Sequence, residues 1–290
     1  MQKLTYINLR NEQIIFQGAP YVLGKITGLG IPDIEVATLR GAYQQGDTII
    51  GYRRGARTVT VAFTLMCASR SALYAARSHL LAILSADRAV SDTDRATLIY
   101  ENDYGRWMTP AMPMEGMMPD ARIENAQTGL KIEFRCESPF FYSTVALETS
   151  FSYTDSGLEL PFAFPFTLGS REFSKEVTNP GQVATPVELW IACKGETPQI
   201  VNRSTGKSLA LAAPIPDGYT LYLNTDYAKL SAQLIQPDGT RIGAFGKLSL
   251  DTPLADFVLR PGINVLEYRP SGGTMQSVIT IRWRSAYEGV

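Results

Sequence analysis

Apolar residues recur at every second position over much of this chain, and that periodicity restricts it to folds built from half-buried strands. Val59, Val61, Phe63 and Leu65 alternate with Thr58, Thr60, Ala62 and Thr64. Successive side chains of a strand point to opposite faces, so this run buries one face and wets the other. Residues 97–101 and 106–109 repeat the pattern around Asn102-Asp103-Tyr104-Gly105, and residues 122–125 and 130–135 repeat it around Ala126-Gln127-Thr128-Gly129. Both links read as hairpin turns, with Gly105 and Gly129 supplying positive φ.

One segment departs from this rhythm. Leu73, Ala76, Leu80, Ile83 and Leu84 fall at helical spacing, and Ser69 or Ser71 is available as an N-cap. A helix of about four turns is expected near residues 70–85, its apolar stripe covering a sheet face. Residues 108–119, MTPAMPMEGMMP, fit neither period. Prolines remove ladder donors and methionines repack easily, so an irregular loop is expected. It is either a contact loop, with Met112, Met114, Met117 and Met118 as contact residues, or a loop tucked on its own domain.

A boundary is expected after Phe140-Phe141-Tyr142. Residues 149–176 read as a connector containing LPFAFPF, in which Phe162, Phe164 and Phe166 are too apolar for a free linker. This segment should lie against a domain or a neighbouring subunit. From residue 177 onward the pattern is purely β, with turn signals at Asn179-Pro180-Gly181, Gly206, Pro237-Asp238-Gly239 and Pro261-Gly262. In the first of these Pro180 and Gly181 suit a type II turn, with Gly181 at positive φ, and Pro186 suits the first residue of a strand. Many short strands without a helix argue a β-sandwich or jelly roll. The expected fold is therefore mainly β with one helix. It has an N-terminal β-domain over residues 1–148, a connector over 149–176 and a C-terminal β-sandwich over 177–290.

Chemistry-bearing patterns are sparse. Among 290 residues, 27 Lys and Arg offset 28 Asp and Glu, for a net charge of −1. The basic excess that phosphate binding requires is missing, so no sequence-specific nucleic-acid binding is expected. No segment approaches the roughly 20 apolar residues of a membrane span, and the first residues carry no apolar signal core. Synthesis in the cytoplasm and no membrane contact are expected. Cys67, Cys136 and Cys193 form no C-x-x-C pair and read as small buried hydrophobes. The sole histidine, His79, lies inside the expected helix between Ser78 and Leu80, with no G-x-S-x-G elbow anywhere. Gly28-Leu29-Gly30 is followed by Pro32 and Asp33 and reads as a turn pair, and Asp92 and Asp94 read as loop residues. Acid pairs such as Glu101 with Asp103, or Asp155 with Glu159, are nominally what a glycosidase needs, yet nothing singles them out. No catalytic residue, cofactor or metal is expected. Trp190 and Tyr222 point away from the apolar faces of their strands. They suit either a platform for sugar rings or burial in an interface.

Four segments in order carry a family resemblance: GLGIPDIEVATLRGAYQQGDTI (28–49) with the strand after it, CESPFFY (136–142), NPGQVATPVELWI (179–191) with VNRSTGKSLAL (201–211), and LRPGINVLEY (259–268) with the terminal IRWRSAYEGV. Together they resemble the distal tail protein family of siphophages. The resemblance implies a tail-tube-like N-terminal sandwich or barrel that assembles into a hexameric ring, and a galectin-like, jelly-roll-type C-terminal sandwich. It implies a ring hub at the virion tail tip that joins the tail tube to the baseplate and conducts DNA. Implied partners are the tail tube protein and a tail-associated hub protein that often carries a lysin, with tape measure and receptor-binding proteins as further neighbours. The competing expectation is an adhesion module whose second sandwich recognises a host cell-wall saccharide.

Overall fold

A computed structural model describes residues 2–116, 124–154, 174–272 and 276–290. The chain divides into two compact units, Met1–Thr144 with Tyr287–Val290, and Val145–Ala286. In the first, β1 (Lys3–Ile7), β2 (Gln13–Phe16) and β3 (Tyr21–Thr27) precede β4 (Ile34–Leu39), β5 (Thr48–Arg54) and β6 (Arg57–Met66). Helix α1 (Arg70–Ile83) is followed by β7 (Thr97–Glu101), β8 (Arg106–Pro110), β9 (Met112–Gly116), β10 (Ala126–Cys136) and β11 (Phe141–Ser143). The second unit opens with β12 (Leu147–Thr154), β13 (Ser174–Asn179), β14 (Thr185–Ala192), β15 (Gln199–Asn202), β16 (Lys207–Ala210) and β17 (Thr220–Asn224). It continues with β18 (Ser231–Ile235), β19 (Arg241–Gly243), β20 (Val258–Leu259), β21 (Gly262–Tyr268) and β22 (Gln276–Trp283), and β23 (Ala286–Tyr287) lies at the boundary.

The first unit pairs a six-stranded sheet, β2-β1-β7-β8-β11-β23, with a four-stranded sheet, β3-β6-β10-β9. Its core takes Leu4, Tyr6, Ile14 and Phe16 from the former and Val59, Val61, Phe63, Leu65, Ile132 and Phe134 from the latter. Each such side chain contributes about 1.5–3 kcal/mol when fully buried. Tyr6 and Phe134 meet with ring centroids 5.2 Å apart, and Phe16 meets Phe63 edge-on at 5.0 Å. Helix α1 adds Leu73, Leu80 and Ile83 to this core, and its Ser69 cap accepts the Ala72 N–H at 3.2 Å. The helical spacing in the sequence therefore identifies both the element and its buried stripe.

Three local expectations are overturned in this unit. The Met-Pro stretch is not an irregular loop in its described part: β8 ends at Pro110 and β9 runs from Met112 to Gly116. Pro113 is accommodated because β9 lies at the edge of its sheet, where a missing N–H deprives no partner. The turn expected at 126–129 is instead a bulge inside the single strand β10, between Gln127 and Leu130. Gly129 does have positive φ (74°), but in the service of that bulge. Gly105 is absent from the positive-φ positions; the Trp107 indole packs so close that a Cβ there would lie 2.8 Å from Cζ2. The turn at 102–105 is held by Asn102, whose Oδ1 accepts the Tyr104 N–H at 2.8 Å and the Gly105 N–H at 3.1 Å.

The second unit is a sandwich of a larger sheet, β12-β22-β14-β17-β18-β19 with β20 beside β14, and a four-stranded sheet, β13-β21-β15-β16. Leu189, Ile191, Leu221, Leu223, Ile279 and Ile281 line the inner face of one, and Val177, Ile200, Leu209, Leu266 and Tyr268 come from the other. Buried asparagines tie the strand ends: Asn179 donates to the Val183 and Leu259 carbonyls, both at 3.0 Å, and Asn202 donates to the Val258 carbonyl at 3.0 Å. Cys136 and Cys193, one in each core, have their thiol pKa pushed up to about 11 by burial, so both stay protonated and inert. Cys67 is half-buried.

The connector expected over 149–176 differs at both ends. Residues 149–154 belong to β12, which pairs along its whole length with β22, and β13 begins at Ser174. Phe162, Phe164 and Phe166 lie outside the described residues, as do Met117 and Met118. Residues 287–290, expected in the C-terminal domain, group with the first unit. The turn after β13 carries the chain from one sheet to the other, since β13 and β14 belong to different sheets. Gly181 is not at positive φ. It is needed for close approach, because a Cβ there would lie 2.6 Å from the Ala286 carbonyl oxygen and 2.8 Å from its nitrogen. Gly181→Val is therefore expected to lower stability by about 1–3 kcal/mol through steric displacement. Thermal unfolding followed by circular dichroism checks this, and an unchanged melting temperature contradicts it.

Candidate assembly surfaces

Strands β4 and β5 form a two-stranded sheet of their own. Alternation is present here too, but the alternating side chains find no second layer. Ile34, Val36, Leu39, Ile49, Ile50 and Tyr52 are all exposed, and so are Ile31 before the ribbon and Tyr43 in its loop. Val36 sits opposite Tyr52, and Ile50 is left unpaired at a register shift between Ala37 and Thr38. Polar pairs hold the ribbon in shape: Glu35 with Arg53 at 2.5 Å, Arg40 with Asp47 at 2.6 Å, and the Gln44 amide donating to the Thr48 hydroxyl at 2.8 Å. Exposed pairs of this kind contribute about 0–1 kcal/mol each, and an isolated hairpin is marginal in water. A ribbon with apolar side chains outward and both edges unpaired is a surface made to be covered. The alternation in the sequence does not reveal it, because an exposed ribbon has the same period as a strand that meets its own core.

The root of this arm is built on two arginines. Arg57, only 3% exposed, donates to the Gly28 and Gly30 carbonyls at 2.7 Å each, to the Pro139 carbonyl at 2.7 and 3.0 Å, and to the Glu288 carbonyl. Its guanidinium lies 4.4 Å from the centroid of the Phe141 ring. Among the described residues no carboxylate pairs with it, and burial lowers its pKa from the usual arginine value. Arg54, at the end of β5, bonds the Glu288 carboxylate, with Nε 2.9 Å from Oε1. Its guanidinium lies 5.5 Å from the Tyr52 ring centroid and 5.4 Å from that of Phe140.

Two further surfaces of the first unit lie outside its core. Its four-stranded sheet ends at β3 and β9: Gln17 bonds the outer side of β3 at Tyr21 and Leu23, and the rest of β3 and β9 meets no further strand among the described residues. On β9 Met112 is half-buried against the core while Met114 is 63% exposed. The face of this sheet turned from the core carries Thr58, Thr60 and Thr64 on β6 and Lys131, Glu133 and Arg135 on β10. That face mixes small hydroxyls with both signs of charge.

Trp190 and Tyr222 stand opposite each other on β14 and β17, with ring centroids 5.2 Å apart. Both are half-buried. The Tyr222 hydroxyl donates to the Glu188 carboxylate at 2.9 Å, and the Arg241 guanidinium lies over the Tyr222 ring at 5.5 Å. The structure thus brings these two predicted residues together, but engages Tyr222 at both its hydroxyl and its ring face.

No protein-family model matches this chain, and no curated protein sequence matches it. Solved structures do. The Dit protein of phage SPP1, described as a paradigm of the hub adsorption apparatus in phages infecting Gram-positive bacteria, is similar over 99% of both chains with a TM-score of 0.65 and 14% identity. A chain of the phage P2 baseplate in its activated conformation with calcium is similar over 97% of both chains, with a TM-score of 0.54 and 10% identity. At these identities the likeness is one of fold, and it runs through both units. For the arm root, Arg57→Met is expected to cost about 3–5 kcal/mol, because it leaves buried carbonyls without donors. Arg57→Lys should recover little of this, since an ammonium cannot reproduce the planar fork. Denaturant unfolding of the two variants checks both statements.

Proposed function

We propose that this chain is a structural hub protein of a phage tail tip, without catalysis, whose first unit joins copies of itself into a ring. The observation that carries the assembly reading is the arm: apolar residues on a narrow ribbon, outside any core of its own unit. Its occupant in this reading is the next copy of the chain. A second contact supports the same arrangement. The part of β3 beyond Leu23 and the β9 edge lie at opposite ends of one sheet with no further strand among the described residues, so head-to-tail pairing of copies would make the sheet continuous. The threonine-rich face of that sheet then lines the bore. Its near-balanced charge suits a conduit for DNA, since a lumen rich in Lys and Arg would hold the phosphates.

Ring faces in this reading meet the tail tube protein on one side and a tail-associated hub protein on the other, with tape measure and receptor-binding proteins nearby. The likeness over nearly the whole chain to a hub protein and a baseplate chain supports a place in a phage tail tip. The named partners, synthesis in the cytoplasm of the bacterial host and a hexameric stoichiometry complete the reading. Electron micrographs and native mass measurements of the purified chain are expected to contain closed rings with a central hole. Ile49→Asp and Tyr52→Asp should give monomers whose stability stays within about 0.5 kcal/mol of the parent, because both side chains are already exposed. A chain that stays monomeric alone and with a tail tube protein overturns the reading.

A saccharide-binding reading of the second unit rests on the Trp190–Tyr222 pair alone. Titration with cell-wall glycan fragments tests it, with Trp190→Ala expected to weaken any binding at least about tenfold if that face is the site.

A further inference from the structure

Residues 287–290 touch both limbs of the arm where it leaves the first unit. On the limb before β4, the Val290 N–H donates to the Leu29 carbonyl at 3.0 Å. Gly289 packs so closely on the same limb that a Cβ would lie 2.9 Å from the Leu29 oxygen and 3.1 Å from the Gly30 carbonyl carbon. Where β5 runs into β6, the Glu288 side chain is gripped by Arg54, the last residue of β5, and its backbone oxygen by Arg57, the first of β6. The limbs themselves are joined only lightly here, by the Gly55 N–H to the Asp33 carbonyl at 2.8 Å. Arg57 bridges back from β6 to Gly28 and Gly30. The one acidic side chain of residues 287–290, Glu288, thus bonds the arm.

This arrangement matters because head-to-tail contacts close into a ring only when the rotation from copy to copy is held. A ring of six needs about 60° per copy and a ring of seven about 51°, so a change of roughly 9° at each contact selects a different assembly. An arm that carries the contact transmits any play at its root directly into that rotation. We propose that Glu288, through Arg54, is the residue that sets the angle of the arm and thereby the number of copies in the ring. This rests on the ring reading above. Glu288 acts as a positioning residue, since the contact surface itself is supplied by the arm.

The experiment compares the full chain with Glu288→Ala by native mass spectrometry, electron-microscopic class averages and hydrogen exchange of residues 34–54. The parent is expected to give one ring size. Glu288→Ala, which keeps the backbone carbonyl bonded by Arg57, is expected to give two or more ring sizes or open arcs, with arm amides exchanging at least about tenfold faster. Arg54→Lys, which keeps the charge but not the fork or its ring contacts, should do the same and serves if the first variant aggregates. A single ring size in the variants, identical to that of the parent, overturns the proposal. If the parent forms no ring, the ring reading itself fails. Unchanged exchange over 34–54 in the variants then overturns the role of Glu288 independently.

Discussion

The first unit depends on one buried cation held by carbonyl dipoles. Removing a guanidinium from water costs several kcal/mol, and Arg57 offsets this with no carboxylate partner among the described residues. Three chain segments supply the oxygens, around Gly28 and Gly30, at Pro139 and at Glu288, and Phe141 supplies a ring face. Only a planar group with donors in several fixed directions can satisfy oxygens arriving from all of them. A side chain at the first position of β6 therefore decides where the arm departs, where the turn before β11 lies, and why residues 287–290 group with this unit.

Around that anchor, one sequence pattern serves two ends. In β6 and β10 alternation places Val59, Val61, Ile132 and Phe134 against a facing sheet, and their burial supplies the stability. In β4 and β5 alternation places Val36 and Tyr52 in water. The arm keeps its shape through its own exposed pairs and through its root, while the free energy of covering its apolar residues is left for another surface. The second unit shows no comparable ribbon among the described residues, and its aromatic pair is engaged on its own sheet by Glu188 and Arg241.

Alternation and helical spacing made most strands and α1 legible in the sequence, because they report directly on which face of an element is buried. The all-β, two-part character followed from the same signal. Glycines were less readable. At Gly105 and Gly181 turn chemistry implied positive φ, whereas the cause is a close approach by Trp107 or by the backbone of Ala286, residues whose proximity no local window contains. Prolines misled at 110 and 113 because tolerance for a missing donor depends on lying at a strand end or a sheet edge, which is a tertiary property. The exposed ribbon was the least legible part. Nothing in the alternation of Ile34 to Tyr52 marks it as exposed, and the acid that grips its root, Glu288, lies 234 positions from Arg54 in sequence.

The chain crosses between its two units twice, after Thr144 and again after Ala286. Translation runs in one direction, so everything from Val145 to Ala286 emerges from the ribosome before Glu288 does. During that interval Arg54 and Arg57 have no partner at 288, and the arm of a nascent chain lacks its anchor. The root of the arm is thus completed only in polypeptides whose second unit has already been made, and a chain stopped short of Glu288 carries the ribbon without its last tether.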